Sequence, residues 1–154
     1  LNLAANENYI VVANGVVVAN NFDVTAPFGL TIYTGARTQA SSPTAVDVLI
    51  HHGSPDAPAV SAFETSVPAG QFVNNLAYTA FTNYLPFVPM DYVIDLTTAD
   101  GSTVVASYEV PLAGTAGAAV TVIASGFLDA NANPGPGFGL FVASANGGPL
   151  TQLP

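Results

Sequence analysis

Two adjacent histidines, His51 and His52, are the only imidazole side chains in the sequence and the first candidates for chemistry. Neighbouring residues on an extended strand point to opposite faces, so these two side chains cannot bind one metal ion together. The chain has no cysteine that could supply a thiolate ligand. We therefore predict a structural role, in which one imidazole bonds to the Ser-Pro-Asp turn at residues 54–56 and the other faces outward.

Ser54 and Asp56 could in principle combine with His51 into a catalytic triad. However, no Gly-x-Ser-x-Gly elbow surrounds the serine, and three residues this close on a strand and turn do not form the triad geometry. We expect the Asp56 carboxylate to accept backbone N–H groups, as in Asx-type turns. The chain is thus predicted not to be an enzyme, and no residue is assigned a catalytic or cofactor-binding role.

A loop at residues 129–135 resembles the start of a calcium-binding loop, because Asp129, Asn131 and Asn133 place oxygen ligands at alternate positions. Pro134 takes the sixth place, and Leu140 stands where a bidentate glutamate is needed. We predict a flexible hairpin tip and no metal-binding residue.

A group of aromatic residues could form a flat platform for a sugar ring. Aromatic side chains mostly build the cores of sandwiches, and we favour that interpretation here. The group consists of Tyr78, Phe81, Tyr84 and Phe87.

The charge balance excludes several classes of partner, because ten acidic residues stand against one basic residue, Arg37. Nucleic acids and anionic membrane surfaces are bound by clustered lysine and arginine, which this chain lacks. No apolar stretch is long enough for a membrane-spanning helix. Only 7% of the residues are charged, against about 25% in ordinary domains. This deficit favours packing against copies of the same chain, although a surface of small polar residues would also explain it.

The secondary structure is predicted to consist of short strands, since β-branched runs alternate with Gly, Pro, Asn and Asp. The clearest hairpin spans residues 92–110 with a turn at 99–102. Twelve prolines and fourteen glycines favour a sandwich over a helical fold. Further strands are predicted at residues 9–13, 16–19, 30–34, 46–52, 59–64, 71–74, 119–124 and 139–143.

An internal repeat divides the chain. Residues 9–15 resemble residues 120–126, which lie 111 positions later, and residues 27–32 resemble residues 137–142, which lie 110 positions later. We predict that residues 1–45 are the C-terminal part of one repeat with a linker at 38–44, and that residues 46–154 are a complete repeat. A partial repeat leaves apolar strands and ladder edges open. Its completion by the same sandwich or by a neighbouring subunit is left open by the sequence.

Residues 46–60 combine a valine-rich strand, His51 and a Ser-Pro-Asp-Ala-Pro turn, and residues 75–78, 84–89, 126 and 138–140 continue the pattern. This set resembles domain-of-unknown-function family 4397. The family's usual Val-Asp-Val strand after the turn is replaced here by Val60, Ser61 and Ala62. The resemblance implies a secreted prokaryotic protein with an immunoglobulin-like antiparallel β-sandwich, often found in tandem, with no known catalysis.

These features together predict an extracellular or cell-surface structural protein. We expect a subunit of a filament or surface layer, a homopolymer joined by β-strand complementation, with copies of itself as partners and no cofactor. The alternative is an adhesin module that binds a glycan or a surface protein through loops at one end of the sandwich.

Overall fold

A computed structural model of the chain describes residues 3–17, 22–67 and 70–154, and every regular element in these ranges is a β-strand. The all-β fold class predicted from the sequence is confirmed. No helix in these ranges is long and apolar enough to cross a membrane. The strands are β1 (Tyr9–Asn14), β2 (Gly29–Thr34), β3 (Val46–His52), β4 (Val60–Glu64), β5 (Gly70–Leu76), β6 (Leu85–Phe87), β7 (Asp91–Thr98), β8 (Val104–Pro111), β9 (Ala119–Ser125), β10 (Gly139–Ser144) and β11 (Thr151–Gln152).

Strands β3 to β11 form a sandwich of two sheets. One sheet has the order β11-β10-β9-β3-β6 and the other has the order β5-β4-β7-β8. All neighbours are antiparallel except β3 and β9, which run parallel from Asp47 opposite Ala119 to His52 opposite Ala124. The parallel pair places the first strand of this region beside one of its last, within the five-stranded sheet.

The core consists of alternate residues of both sheets, as expected for strands with one apolar face. The predicted hairpin at 92–110 is formed by β7 and β8, and it buries Tyr92, Ile94 and Leu96. The buried residues that pack together in this core are Val46, Val48, Val60, Ala62, Val73, Leu76, Tyr92, Ile94, Leu96, Val110, Leu112, Val122, Ala124, Leu140 and Leu153.

The N-terminal strands β1 and β2 form a separate two-stranded sheet with six residue pairs. Neither strand pairs with a strand of the sandwich. Their hairpin instead contacts the outer face of the five-stranded sheet through side chains. In the predicted strand at 16–19, Val16 forms a bridge with Pro27, and residues 18 and 19 lie outside the described ranges.

Candidate functional site

The two hairpins β1–β2 and β9–β10 have the same pairing. Tyr9 lies opposite Thr34 in the first hairpin, and Val120 lies opposite Ser144 in the second. With offsets of 111 residues for the first strand and 110 for the second, all six pairs correspond. The sequence similarity therefore reflects one structural unit that occurs twice in the chain.

The same turn follows the first strand of each hairpin. Gly15 and Gly126 both have positive φ angles, of 80° and 85°. A Cβ atom at either position would lie 2.2 Å from a backbone carbonyl oxygen, that of Pro27 or Gly137. Only glycine meets both the backbone angle and the close approach, so this residue type is required in both hairpins.

One face of the first hairpin is apolar and open to solvent. We call this the open face, and its residues are Val11, Ala13, Phe28, Leu30 and Ile32. Leu30 is 54% exposed and Val11 is 44% exposed, whereas their counterparts Leu140 and Val122 are 5% and 7% exposed in the core of the sandwich. The open face thus has the chemistry of a sandwich core without the opposing sheet.

The opposite face of the hairpin packs on its own sandwich, and His51 lies at the centre of this junction. Its Nε2 is 3.1 Å from Oδ1 of Asn14, and its Nδ1 is 3.1 Å from the carbonyl oxygen of Ala80. The centre of its ring lies 4.2 Å from that of Phe81, with the two rings tilted by 34°. Burial lowers the pKa of His51 to about 4, and the charge of His52 acts in the same direction. The prediction that one histidine faces outward is wrong, because the hairpin covers the strand face on which His51 lies.

Arg37, the single basic residue, makes the contacts at the other end of the junction. The Arg37 guanidinium forms an ion pair with the fully buried carboxylate of Asp47 and lies 4.7 Å from the ring centre of Tyr84. Ser41 donates its backbone N–H to the same carboxylate at 2.8 Å. Burial alone would raise the pKa of Asp47, but these hydrogen bonds and the Arg37 charge hold it below its ordinary value. Asp47 therefore fixes the linker to the sandwich.

A third contact, made by the buried side chain of Asn133, joins the N-terminal segment to the sandwich. Its Oδ1 accepts the backbone N–H groups of Asp23 at 3.0 Å and Val24 at 3.3 Å. Its Nδ2 donates to the Asp56 carboxylate at 3.2 Å. The loop resembling a calcium site is thus a bridge between the N-terminal segment and the sandwich.

The Asp56 carboxylate accepts backbone N–H groups, as predicted, but from a distant segment. Leu128 and Asp129 each donate to it at 2.8 Å. Although burial by itself raises the pKa of Asp56, these hydrogen bonds and that of Ser54 lower it. The tip at residues 129–135 is therefore held to the turn at 54–58. Within the described ranges, no group of three His, Asp or Glu side chains is placed to hold a metal ion.

His52 fulfils the role predicted for one of the two histidines. Its Nε2 donates to the carbonyl oxygen of Pro58 at 2.9 Å, and its Nδ1 accepts the backbone N–H of Ser54 at 3.4 Å. The Ser54 hydroxyl donates to the carbonyl oxygen of Gly126 at 2.7 Å. Since this hydroxyl has its hydrogen bonds to Gly126 and Asp56 rather than to an imidazole, the arrangement is that of a braced turn and not of a nucleophile with its base.

The aromatic residues considered as a sugar platform divide between the core and the junction. Phe87 contacts Phe72 and Tyr92 inside the sandwich. The rings of Phe81 and Tyr84 lie 5.3 Å and 5.9 Å from the ring of Tyr33 on β2.

Tyr78, the fourth member, lies beside His52 and forms a hydrogen bond with the Gly15 backbone. Burial raises the pKa of the Tyr78 hydroxyl. The core interpretation therefore fits Phe87, while the other three rings attach the N-terminal hairpin. Sequence reasoning missed this role because their partners are far away in the chain.

The arrangement as a whole offers an apolar surface on a hairpin that contacts the sandwich at several points. No curated protein and no solved structure matches the chain. A protein-family model described as a domain of unknown function, DUF4397, matches residues 46–138, which is more than half of the chain. The family suspected from the turn at residues 54–58 is therefore the correct one, and the chain belongs to the DUF4397 family.

Proposed function

We propose that this protein is an extracellular structural subunit that associates with copies of itself in a filament or surface layer, where strands of another subunit complete the hairpin β1–β2. The observation that supports this proposal is the open face. Its residues have the types and spacing of core residues, and the equivalent face of β9–β10 is buried against a second sheet.

An exposed apolar face of this kind favours association. Transfer of apolar surface from water contributes about 25 cal/mol per Å² of area buried. The open face contains Val11, Ala13, Phe28, Leu30 and Ile32, with no ionisable side chain among them. Two chains that each carry a net charge of −9 can therefore meet there without placing acidic groups in the contact itself.

The attachment of the hairpin also supports an assembly role. The junction contacts of Asn14, Arg37 and Asn133 fix the hairpin on the sandwich, so the open face is presented in one orientation. A fixed orientation is what a repeating lattice or fibre needs, because each subunit must add in the same geometry as the last. Arg37, the only basic residue, is engaged in this junction, which leaves proteases that cut after Lys or Arg little to cleave outside the cell.

Light scattering coupled to gel filtration, followed by negative-stain microscopy, tests the proposal over a wide range of protein concentration. We expect the wild-type chain to associate and Leu30→Asp to remain monomeric, because an aspartate on the open face is desolvated in the contact. Val104→Asp is the matched control, since Val104 is also 54% exposed but lies at the start of β8. A wild-type chain that stays a monodisperse monomer at high concentration would contradict the proposal.

The adhesin alternative lacks a specific structural observation in its favour. The rings of Phe81 and Tyr84 pack against Tyr33 and do not form a flat exposed platform. Glycan-array binding by the monomeric chain, lost on substitution of Tyr78 or Tyr84, is the result that would favour an adhesin.

A further inference from the structure

We infer that the free edge of β1 is a binding site for one extended strand of another polypeptide, which runs parallel to β1 and has apolar residues at alternate positions, as β3 has. This inference rests on the proposed function, since it names the kind of segment that completes the hairpin. It specifies a strand in place of a folded surface, and it fixes the direction and register of that strand.

The free edge follows from the hydrogen bonds of the first hairpin. The carbonyl oxygen of Asn8 accepts N–H groups from Gly35 and Ala36, so the backbone groups of residue 8 point towards β2. Backbone groups on a strand alternate in direction, which turns those of Tyr9, Val11 and Ala13 to the opposite side. No described strand pairs with β1 on that side, and these groups form the open edge.

The second hairpin shows what occupies the equivalent edge. There β3 runs parallel to β9 and pairs with it over six residues. The carbonyl oxygens of Ala118 and Ala124 accept the N–H groups of Asp47 and Gly53, at 3.0 Å and 2.8 Å. Shifting this register by 111 residues places the missing strand opposite residues 8–13 of the first hairpin.

The side chains of β3 indicate what the missing strand needs. Val46 and Val48 face the core, and Ile50 packs against it, so one face of the strand must be apolar to extend the open face. The alternate positions of the strand would face the sandwich. A cleft of about 540 Å³ lies on that side, and its walls include Val12, Ile123, Phe127, Phe141 and Leu150. One face of an added strand therefore meets the apolar cleft and the other enlarges the open face, while its backbone pairs with β1. Backbone pairing together with pockets for alternate side chains gives strand addition its affinity and specificity.

A synthetic peptide with the sequence of residues 45–53, added to isotope-labelled full-length protein, tests the inference by amide hydrogen exchange. At saturating peptide we expect exchange at Tyr9, Val11 and Ala13 to slow by about tenfold or more, because their N–H groups gain partners. Exchange at Ile10 and Val12 should change little, since these residues already bond to β2. In β3 the N–H groups of odd-numbered residues such as Asp47 point towards β9, whereas that of Ile50 points away. A peptide with proline in place of Leu49 and His51 therefore lacks N–H groups that would face β1, and as the control it should protect none of them.

The direction of the bound strand is tested with a spin label on either end of the same peptide. A label on the peptide N-terminus should broaden the signal of Asn8, and a label on the C-terminus should broaden that of Asn14. The reverse pattern would overturn the inference, because the bound strand would then run antiparallel to β1. Loss of protection along β9 would also overturn it, because the peptide would then be replacing β3.

These results separate the inference from the proposed function. Self-association without protection at Tyr9, Val11 and Ala13 would support the proposed function and overturn the parallel-strand site. A chain that remains monomeric but binds the peptide in the expected register would overturn the proposed function and support the parallel-strand site.

Discussion

The two hairpins of this protein have the same pairing register but differ in what surrounds them. Hairpin β9–β10 lies inside a five-stranded sheet, with β3 along one edge and β11 along the other, and it buries Val122 and Leu140. No strand in the described part of the chain pairs along either edge of hairpin β1–β2, which exposes the residues that correspond to these two, Val11 and Leu30. Its described contacts with the sandwich, such as that between Asn14 and His51, do not include strand pairing.

This difference shows that pairing and burial are determined separately. A β-branched alternation and a glycine with positive φ are sufficient to set the register of both hairpins. An isolated two-stranded hairpin is only marginally stable in water. The first hairpin therefore depends on its junction with the sandwich, where Asn14, Tyr33 and Arg37 make specific contacts in place of a second sheet.

The largest expected effect comes from the same substitution at equivalent positions. Leu140→Ala should lower the free energy of unfolding by about 2–5 kcal/mol, because it leaves a cavity in the core. Leu30→Ala should cost less than about 0.5 kcal/mol in the monomer, because the side chain is already in contact with water. Urea denaturation of both variants at low protein concentration measures the difference.

Protein concentration provides the control for this pair. If the open face becomes covered on self-association, the cost of Leu30→Ala should grow with concentration while that of Leu140→Ala stays constant. Equal costs for the two variants in dilute solution would show that the open face is buried within the monomer, and the contrast between the hairpins would then be wrong.

The strands were largely predictable from the sequence because their patterns are local. The bounds of β3 are those expected, and the hairpin of β7 and β8 was found from its alternation. Strands β6 and β11 were missed, since they have only three and two residues and β6 contains Pro86. Such short edge strands are defined by the neighbour they pair with and leave little periodic signal of their own.

The junction was not predictable for the opposite reason, since its contacts join residues that are far apart in the chain. His51 contacts Asn14, 37 residues earlier, and Asn133 binds the backbone of Asp23, 110 residues earlier. Alternation along β3 correctly separates the two histidines into different faces. It could not show that the outer face of β3 is covered, because that depends on where the hairpin packs.

The pH dependence of stability reports on the junction through His51. The pKa of His51 in the folded protein is about 4, below its ordinary value of about 6.5. The folded state thus takes up a proton less readily than the unfolded state, so the free energy of unfolding should fall as the pH drops from about 6.5 to 4. We expect a contribution on the order of 2 kcal/mol from this residue, measured by denaturation at a series of pH values.

The variant His51→Gln isolates this contribution. Glutamine retains a donor for the oxygen of Asn14 or Ala80 but does not titrate, so its stability should depend less on pH across this range. His52→Gln is a matched comparison at the adjacent position. Burial also lowers the pKa of His52, which bonds to the turn at residues 54–58. If the two variants and the wild type share one pH profile, His51 does not titrate in the way its burial implies.

The smallest expected effect concerns detachment of the hairpin, which trypsin can report because Arg37 is the only basic residue in the chain. Cleavage after Arg37 requires its side chain to leave Asp47 and Tyr84. Asp47→Asn removes a charge-assisted hydrogen bond, and a loss of about 1.4 kcal/mol at the junction would raise the cleavage rate roughly tenfold through the larger open population. Asp95→Asn on β7 removes an equal charge away from the junction and should leave the rate unchanged. Equal rates for Asp47→Asn and the wild type would mean that the linker does not depend on Asp47, and that the first hairpin is attached mainly through His51 and Asn133.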